Sequence, residues 1–194
     1  MAQEFDIPFP QYMWITSKTD TSQALRTIGR PAVLKVVQAD MWHRSDKGGV
    51  QAGVTQSQDI QTFLNKHGDT DIILQEQAED VVEVFVGMKH DLQWGWFLVI
   101  GTGGIYAEVY QDFVMGTMPI TKFSIWRLLK QTNVYQILCG SRGTSYDTQF
   151  VVDTIFNLHL CALSFPDLEE IDVNPIIVYA HGGTMVDFKA KKRA

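Results

Sequence analysis

Apolar residues follow two different rhythms along this chain, and the change from one to the other divides it. In the first 76 residues, short apolar runs alternate with helix-spaced segments. Residues 12–16 read as a strand after Ile7-Pro-Phe-Pro10, residues 21–28 as a helix stopped by Gly29 and Pro31, and residues 32–37 as a buried strand. Residues 50–54 form the next predicted strand. Residues 57–66 follow as an amphipathic helix that turns Ile60, Phe63 and Leu64 inward and ends at His67-Gly68. Residues 71–76 are again an apolar strand, and a polar break follows at residues 77–80. Beyond it, residues 81–88 and 96–100 alternate as strands joined by a turn over residues 90–95. Gly101-Thr-Gly-Gly104 interrupts them, residues 106–110 and 113–118 resume, helices span about residues 122–129 and 147–164, and residues 171–179 and 185–188 close the pattern. This order predicts an α+β chain of two lobes, residues 1–76 and 77–194, with mainly antiparallel sheets and a cleft between them.

Composition narrows the classes that fit. A chain of 194 residues with 45% hydrophobic content can bury a core as one domain or two small lobes. No apolar run approaches the roughly 18 residues that span a bilayer. The start, Met1-Ala-Gln-Glu-Phe-Asp6, lacks the basic and apolar regions of an export signal, so the expected setting is cytoplasmic, with no membrane partner. Cys139 and Cys161 have no CxxC or histidine spacing and read as reduced structural thiols. A net charge of −6 argues against nucleic acid as the main partner, and the cationic cluster at residues 189–193 reads as a solvated tail. Trp14, Trp94, Trp96 and Trp126 are expected to pack in a core or interface, whereas Trp42 could cover the neighbouring loop.

The candidate chemistry starts at Lys35. Flanked by Val33, Leu34, Val36 and Val37, its ammonium must stand at the edge of an apolar sheet, which is costly unless an anion such as phosphate meets it. The loop that follows carries His43 as phosphoryl acceptor or acid/base, Ser45 and Asp46 as polar ligands, and Gly48 and Gly49, which let backbone amides approach an oxyanion. Farther on, Asp172 and Asn174 stand two apart in a predicted strand and face one side, offering hard oxygen ligands for Mg²⁺; the competing reading is hydrogen bonds within a turn. Pro175 is expected to end the ladder there. Gly103 and Gly104 fit either a bulge or close approach of a ligand, and Glu83 fits either a site or a solvated face.

Ordered blocks carry these residues. They are Ile7-Pro-Phe-Pro10, Pro31-Ala-Val-Leu-Lys-Val-Val37, His43-Arg-Ser-Asp-Lys-Gly-Gly-Val50, Leu74-Gln-Glu76, Val82-Glu-Val-Phe-Val-Gly87, Gly101-Thr-Gly-Gly-Ile-Tyr-Ala-Glu-Val109 and Glu170-Ile-Asp-Val-Asn-Pro175. Together they resemble the ATP-grasp domain of the ADP-forming (NDP-forming) acyl-CoA synthetases, of the acetate–CoA ligase beta subunit type. The resemblance implies an ATP-grasp fold, Mg²⁺ with ATP or ADP, and phosphoryl transfer through a phosphohistidine. By residue, it implies Lys35 on the nucleotide phosphates, Gln75 and Glu76 on adenine and ribose, and His43 as the relay. Glu83 would lie on ribose or metal-bound water, Gly103, Gly104 and Glu108 near the phosphates, Arg142 as a phosphate contact, and Asp172 and Asn174 on the metal.

The implied partner is a CoA-binding or ligase part, either a separate subunit or fused in one polypeptide; a homo-oligomer is also compatible. The family domain usually begins with a helix upstream of the Ile-Pro-x-Pro segment, so the resemblance implies a trimmed domain or a shortened stand-alone protein. Three cationic positions of the family pattern are replaced, at His90, Gln111 and Gly116. Because cations stabilise a transferring phosphoryl group, an ATP-binding regulatory module is the alternative expectation. A carboxylate–amine ligase is a third, against which the His43 loop argues.

Overall fold

The computed structural model describes residues 3–37, 48–68, 70–78, 82–104, 109, 111–141 and 143–193. They form two compact units, residues 10–79 and residues 1–9 with 80–194. Among the described residues no helix is long and apolar enough to cross a membrane.

The smaller unit contains β1 (Tyr12–Ile15), α1 (Thr21–Ile28), β2 (Ala32–Val36), β3 (Val50–Val54), α2 (Ser57–His67) and β4 (Ile72–Glu76). Its sheet has the order β1-β4-β2-β3 with every pairing antiparallel. Asp20 starts α1 by accepting from the N–H groups of Ser22 and Gln23, both at 3.0 Å, and Asp59 reaches back to the N–H groups of Thr55 and Gln56 at the start of α2. Gly29 and Gly68 terminate the two helices with positive φ, which glycine adopts without steric penalty. Leu25, Ile60 and Phe63 then close over Leu34 and Leu74 on one face of the sheet.

The larger unit contains β5 (Val82–Asp91), β6 (Gly95–Thr102), β7 (Phe113–Thr117), α3 (Lys122–Leu129), α4 (Asn133–Leu138), α5 (Thr148–Ser164), β8 (Leu168–Val178), β9 (Gly183–Met185) and β10 (Phe188–Lys192). Its antiparallel sheet has the order β10-β8-β5-β6-β7, and β9 pairs with β8. Val84, Val86, Leu98, Ile171 and Val173 pack beneath Ile125, Leu138, Val151 and Ile155 of the helices. Asp147 accepts from Phe150 N–H and from Gly182 N–H, each at 2.9 Å, tying the start of α5 to the β8–β9 turn. Those two bonds hold its carboxyl below the usual range.

Several local expectations change. Residues 1–9, read as part of the first lobe, count with the larger unit because Ile7 is buried in its core and Met185 N–H donates to Pro8 O at 2.9 Å. The cationic cluster is no solvated tail. Its lysines lie on edge strand β10, where Lys191 and Lys192 meet Glu169 (3.3 Å) and Asp167 (2.7 Å), and charged side chains there discourage pairing with another chain. The ladder does not end at Pro175. β8 continues to Val178, and a register shift between Val84 and Val86 on β5 accommodates Asn174 and Pro175 as a bulge. Trp96 is buried, but Trp14 is 54% exposed on an edge strand and Trp94 is 72% exposed in the β5–β6 turn. The closing strand expected over residues 185–188 divides into β9 and β10, and α4 is an additional helix. The strand expected over residues 106–110 falls largely outside the described residues.

One buried group has a consequence for stability. His159 on α5 is 3% exposed, its Nδ1 has no hydrogen-bond partner among the described residues, and burial pushes its pKa down. The folded chain therefore favours neutral imidazole. This contribution is fully present above the unfolded value of about 6.5 and is lost as pH falls from there through the lowered folded value. Melting curves between pH 7.5 and 5 should show a falling transition temperature, about 2–4 °C for each kcal/mol lost. His159→Gln should flatten that slope, and an unchanged slope would contradict the assignment.

Candidate functional site

In the smaller unit, strand register sets the positions of the polar groups. Lys35 stands opposite Ile73, which stands opposite Trp14, while Gln75 lies between Tyr12 and Val33. Leu34 and Leu74 occupy the helix-covered face, so the alternation of strand side chains puts Lys35 and Gln75 together on the other face. Both are buried, at 8% and 5% exposure, beside the half-exposed Tyr12 and Trp14. Glu76 is exposed at the strand end, and its N–H donates to Gln11 O at 3.0 Å. The glycine loop rejoins the sheet here, with Val36 N–H donating to Gly49 O at 2.9 Å. Gly48 has φ +65°, a conformation that favours glycine, and the nearest atom to a Cβ there would be the movable Lys66 Nζ. His43, Ser45 and Asp46 lie outside the described residues.

In the larger unit, Glu83, Asp172 and Asn174 alternate with the core residues Val84, Ile171 and Val173 and occupy the face opposite the helices. The Gly103-Gly104 segment packs directly onto this face. Gly103 N–H donates to Glu83 O (2.8 Å), and Gly104 N–H donates to Asn174 Oδ1 (2.9 Å). A Cβ at Gly103 would stand 2.9 Å from the Val84 carbonyl carbon, and one at Gly104, where φ is +87°, would run into Glu83 Oε2. The glycines therefore serve close approach to the Glu83 strand and to Asn174. Glu83 is half-buried, and desolvation raises its pKa. Glu108 and Arg142 lie outside the described residues.

The structure adds Asp187. Its Oδ2 lies 4.0 Å from Lys189 Nζ, as does Asp172 Oδ2, and Asn174 N–H donates to Asp187 O at 3.3 Å. In the sequence Asp187 is a polar residue between Val186 and Phe188. What the sequence lacked was the register that brings it beside Asp172. Among the described residues no group of three or more His, Cys, Asp or Glu could hold a metal. Asp172, Asn174 and Asp187 carry oxygen donors, the ligand type that Mg²⁺ takes together with water and phosphate oxygens.

The three replaced cationic positions differ in kind. His90 is the penultimate residue of β5, its ring edge-on to Trp96 at 5.4 Å, and Gln111 precedes Asp112 with φ +49°. Asp112 itself accepts from Thr102 Oγ1 (2.5 Å) and from the N–H of Asn133 (2.9 Å). Gly116 pairs with the buried Leu98, and a Cβ there would stand 2.6 Å from Leu128 Cδ1. A side chain at position 116 would enter the core, on the face away from Asp172 and Asn174.

An ATP-grasp domain model matches residues 1–191. The chain belongs to the ATP-grasp family. Among its relatives is the beta subunit of ADP-forming acetate–CoA ligase I of Pyrococcus furiosus, 30% identical over 195 residues, an alignment covering 94% of this chain and 84% of that subunit. ADP-forming acetate–CoA ligase I of Archaeoglobus fulgidus is 32% identical over 174 residues, covering 84% of this chain but only 25% of the larger protein. The chain thus spans about a quarter of that ligase and most of the Pyrococcus beta subunit. A solved structure of the dinucleotide-forming acetyl-coenzyme A synthetase 1 of Ca. Korarchaeum cryptofilum superposes with a TM-score of 0.83 at 26% identity, covering 98% of this chain and 88% of that one. That protein was captured with coenzyme A and Mg-AMPPCP, its phosphohistidine segment pointing towards the nucleotide binding site.

Proposed function

We propose that this ATP-grasp chain is the nucleotide-binding part of an ADP-forming acyl-CoA synthetase, which interconverts acyl-CoA, ADP and phosphate with acid, CoA and ATP. The observation that carries this reading is the similarity along 84% of an ADP-forming acetate–CoA ligase beta subunit. The oxygen donors Asp172 and Asn174, with Gly104 bonded to Asn174, support it. In this reading the smaller unit supplies Lys35 as a point charge for the phosphates, Gln75 and Glu76 for adenine and ribose, and the loop groups Ser45, Asp46, Gly48 and Gly49. The larger unit supplies Glu83, Gly103, Gly104, Glu108 and Arg142. Asp172 and Asn174, joined by Asp187, would hold Mg²⁺, which when bound neutralises charge on the phosphates.

His43 would be the relay. In the ATP-consuming direction a neutral imidazole nitrogen attacks the γ-phosphorus of ATP, forming a P–N bond as the P–O bond to the leaving ADP oxygen breaks; in the ATP-forming direction an ADP oxygen attacks the phosphohistidine, forming that P–O bond as the P–N bond breaks and neutral imidazole leaves. The partner would be a CoA-binding subunit or domain in the cytoplasm. The regulatory alternative loses one of its three supports at Gly116, because a cation there would face the core. Mixing the purified chain with a CoA-binding subunit of an ADP-forming synthetase, acetyl-CoA, ADP, phosphate and Mg²⁺ tests the proposal. ATP should appear only when both proteins are present, and its absence with an otherwise competent subunit would overturn the synthetase reading.

A further inference from the structure

The oxygens assigned to the metal already face a cation that belongs to the protein. Lys189 Nζ stands 4.0 Å from Asp172 Oδ2 and 4.0 Å from Asp187 Oδ2, and each of the three side chains is about a quarter exposed. The β8–β10 register places Lys189 directly across from Asp172, and the bond from Asn174 N–H to Asp187 O holds the second carboxylate close by. Two partly buried carboxylates on one face repel each other, and a shared ammonium offsets that repulsion. Charge-assisted hydrogen bonds close at about 2.7–2.9 Å. At 4.0 Å from both oxygens, Lys189 acts on them through its field, at the end of a flexible stem that can swing away.

We propose that Lys189 is a resident counter-ion that positions Asp172 and Asp187 and makes the site select metal–nucleotide over free metal. This rests on the reading of Asp172 and Asn174 as metal ligands. A bare divalent cation entering the oxygens must sit beside, or displace, a positive charge. A cation arriving on a nucleoside diphosphate brings phosphate oxygens that receive the displaced ammonium. Lys189 therefore lowers affinity for the free ion and leaves affinity for the metal–nucleotide nearly unchanged.

Binding of Mn²⁺ alone, followed by electron paramagnetic resonance on the full chain, tests this without any turnover. Lys189→Met and Lys189→Gln should each bind free Mn²⁺ on the order of ten-fold more tightly than wild type. Lys189→Arg should stay within about two-fold of wild type, because it keeps the charge. All three should bind Mg-ADP within about three-fold of wild type, since the phosphates replace the carboxylates as partners of the ammonium. No gain in Mn²⁺ affinity in either neutral variant would overturn the counter-ion role, as would a ten-fold loss of Mg-ADP affinity, which would mean that the ammonium is held far more tightly by the phosphates than by the carboxylates. Asp172→Ala separates the two readings. If it loses Mn²⁺ while the neutral Lys189 variants gain nothing, only the counter-ion role fails; if it binds Mn²⁺ unchanged, the metal site itself is wrong.

Discussion

Lys35→Met is expected to weaken binding of Mg-ADP by about ten- to a hundred-fold, the range that corresponds to losing about 1.4–2.8 kcal/mol. Lys35 is a buried residue near the end of β2, and its neighbours Leu34 and Val36 belong to the core. In the proposed site its ammonium is a point charge for the polyphosphate, and charge-assisted contacts to phosphate oxygens strengthen binding. Methionine keeps most of the side chain's length and packing and removes only the charge. The smaller unit should therefore still melt cooperatively, and calorimetric titration of the variant should show the weaker affinity. An affinity equal to wild type would take Lys35 out of the site.

His43→Ala should have the larger effect on chemistry and little on binding. If His43 carries the phosphoryl group, removing its imidazole removes the acceptor atom, and transfer should fall by on the order of a thousand-fold or more. The proposal assigns the nucleotide and its metal to other residues, Lys35, Gln75 and Asp172 among them, so the dissociation constant for Mg-ADP should remain within about two-fold of wild type. Incubation with γ-³²P-labelled ATP distinguishes the cases directly. Wild type should acquire acid-labile, base-stable label and the variant none; equal labelling of both would remove His43 from the relay.

Much of the fold was legible because its elements carry local signals. α1, β3 and α3 fall at the residues where spacing and stop signals put them, since Asp20, Gly29 and Thr121 fix their ends through backbone hydrogen bonds or glycine conformation. What escaped depends on pairing between distant segments. The cationic sequence after Asp187 reads as solvated until β8 provides an edge against which Lys189 aligns with Asp172. Pro175 reads as a ladder end, yet a bulge in the β5–β8 pairing absorbs it. α4 escaped because it has only six residues, too few for periodicity to declare a face.

The candidate site divides in the same way. The alternation of Asp172 and Asn174 with apolar residues was visible in the sequence, as was the Gly103-Gly104 pair upstream. The bond from Gly104 to Asn174 spans 70 positions, and no local rule could anticipate it. Asp187 shows the limit most clearly: a polar residue between Val186 and Phe188, it acquires a role only from register.

The most direct test of the account is calorimetric titration of the wild-type chain with ADP in the presence of Mg²⁺, repeated with ATP. Saturable binding is expected, with a dissociation constant between about 1 μM and 1 mM, the usual range for a substrate. The absence of any binding heat with both nucleotides, across temperatures, would contradict it.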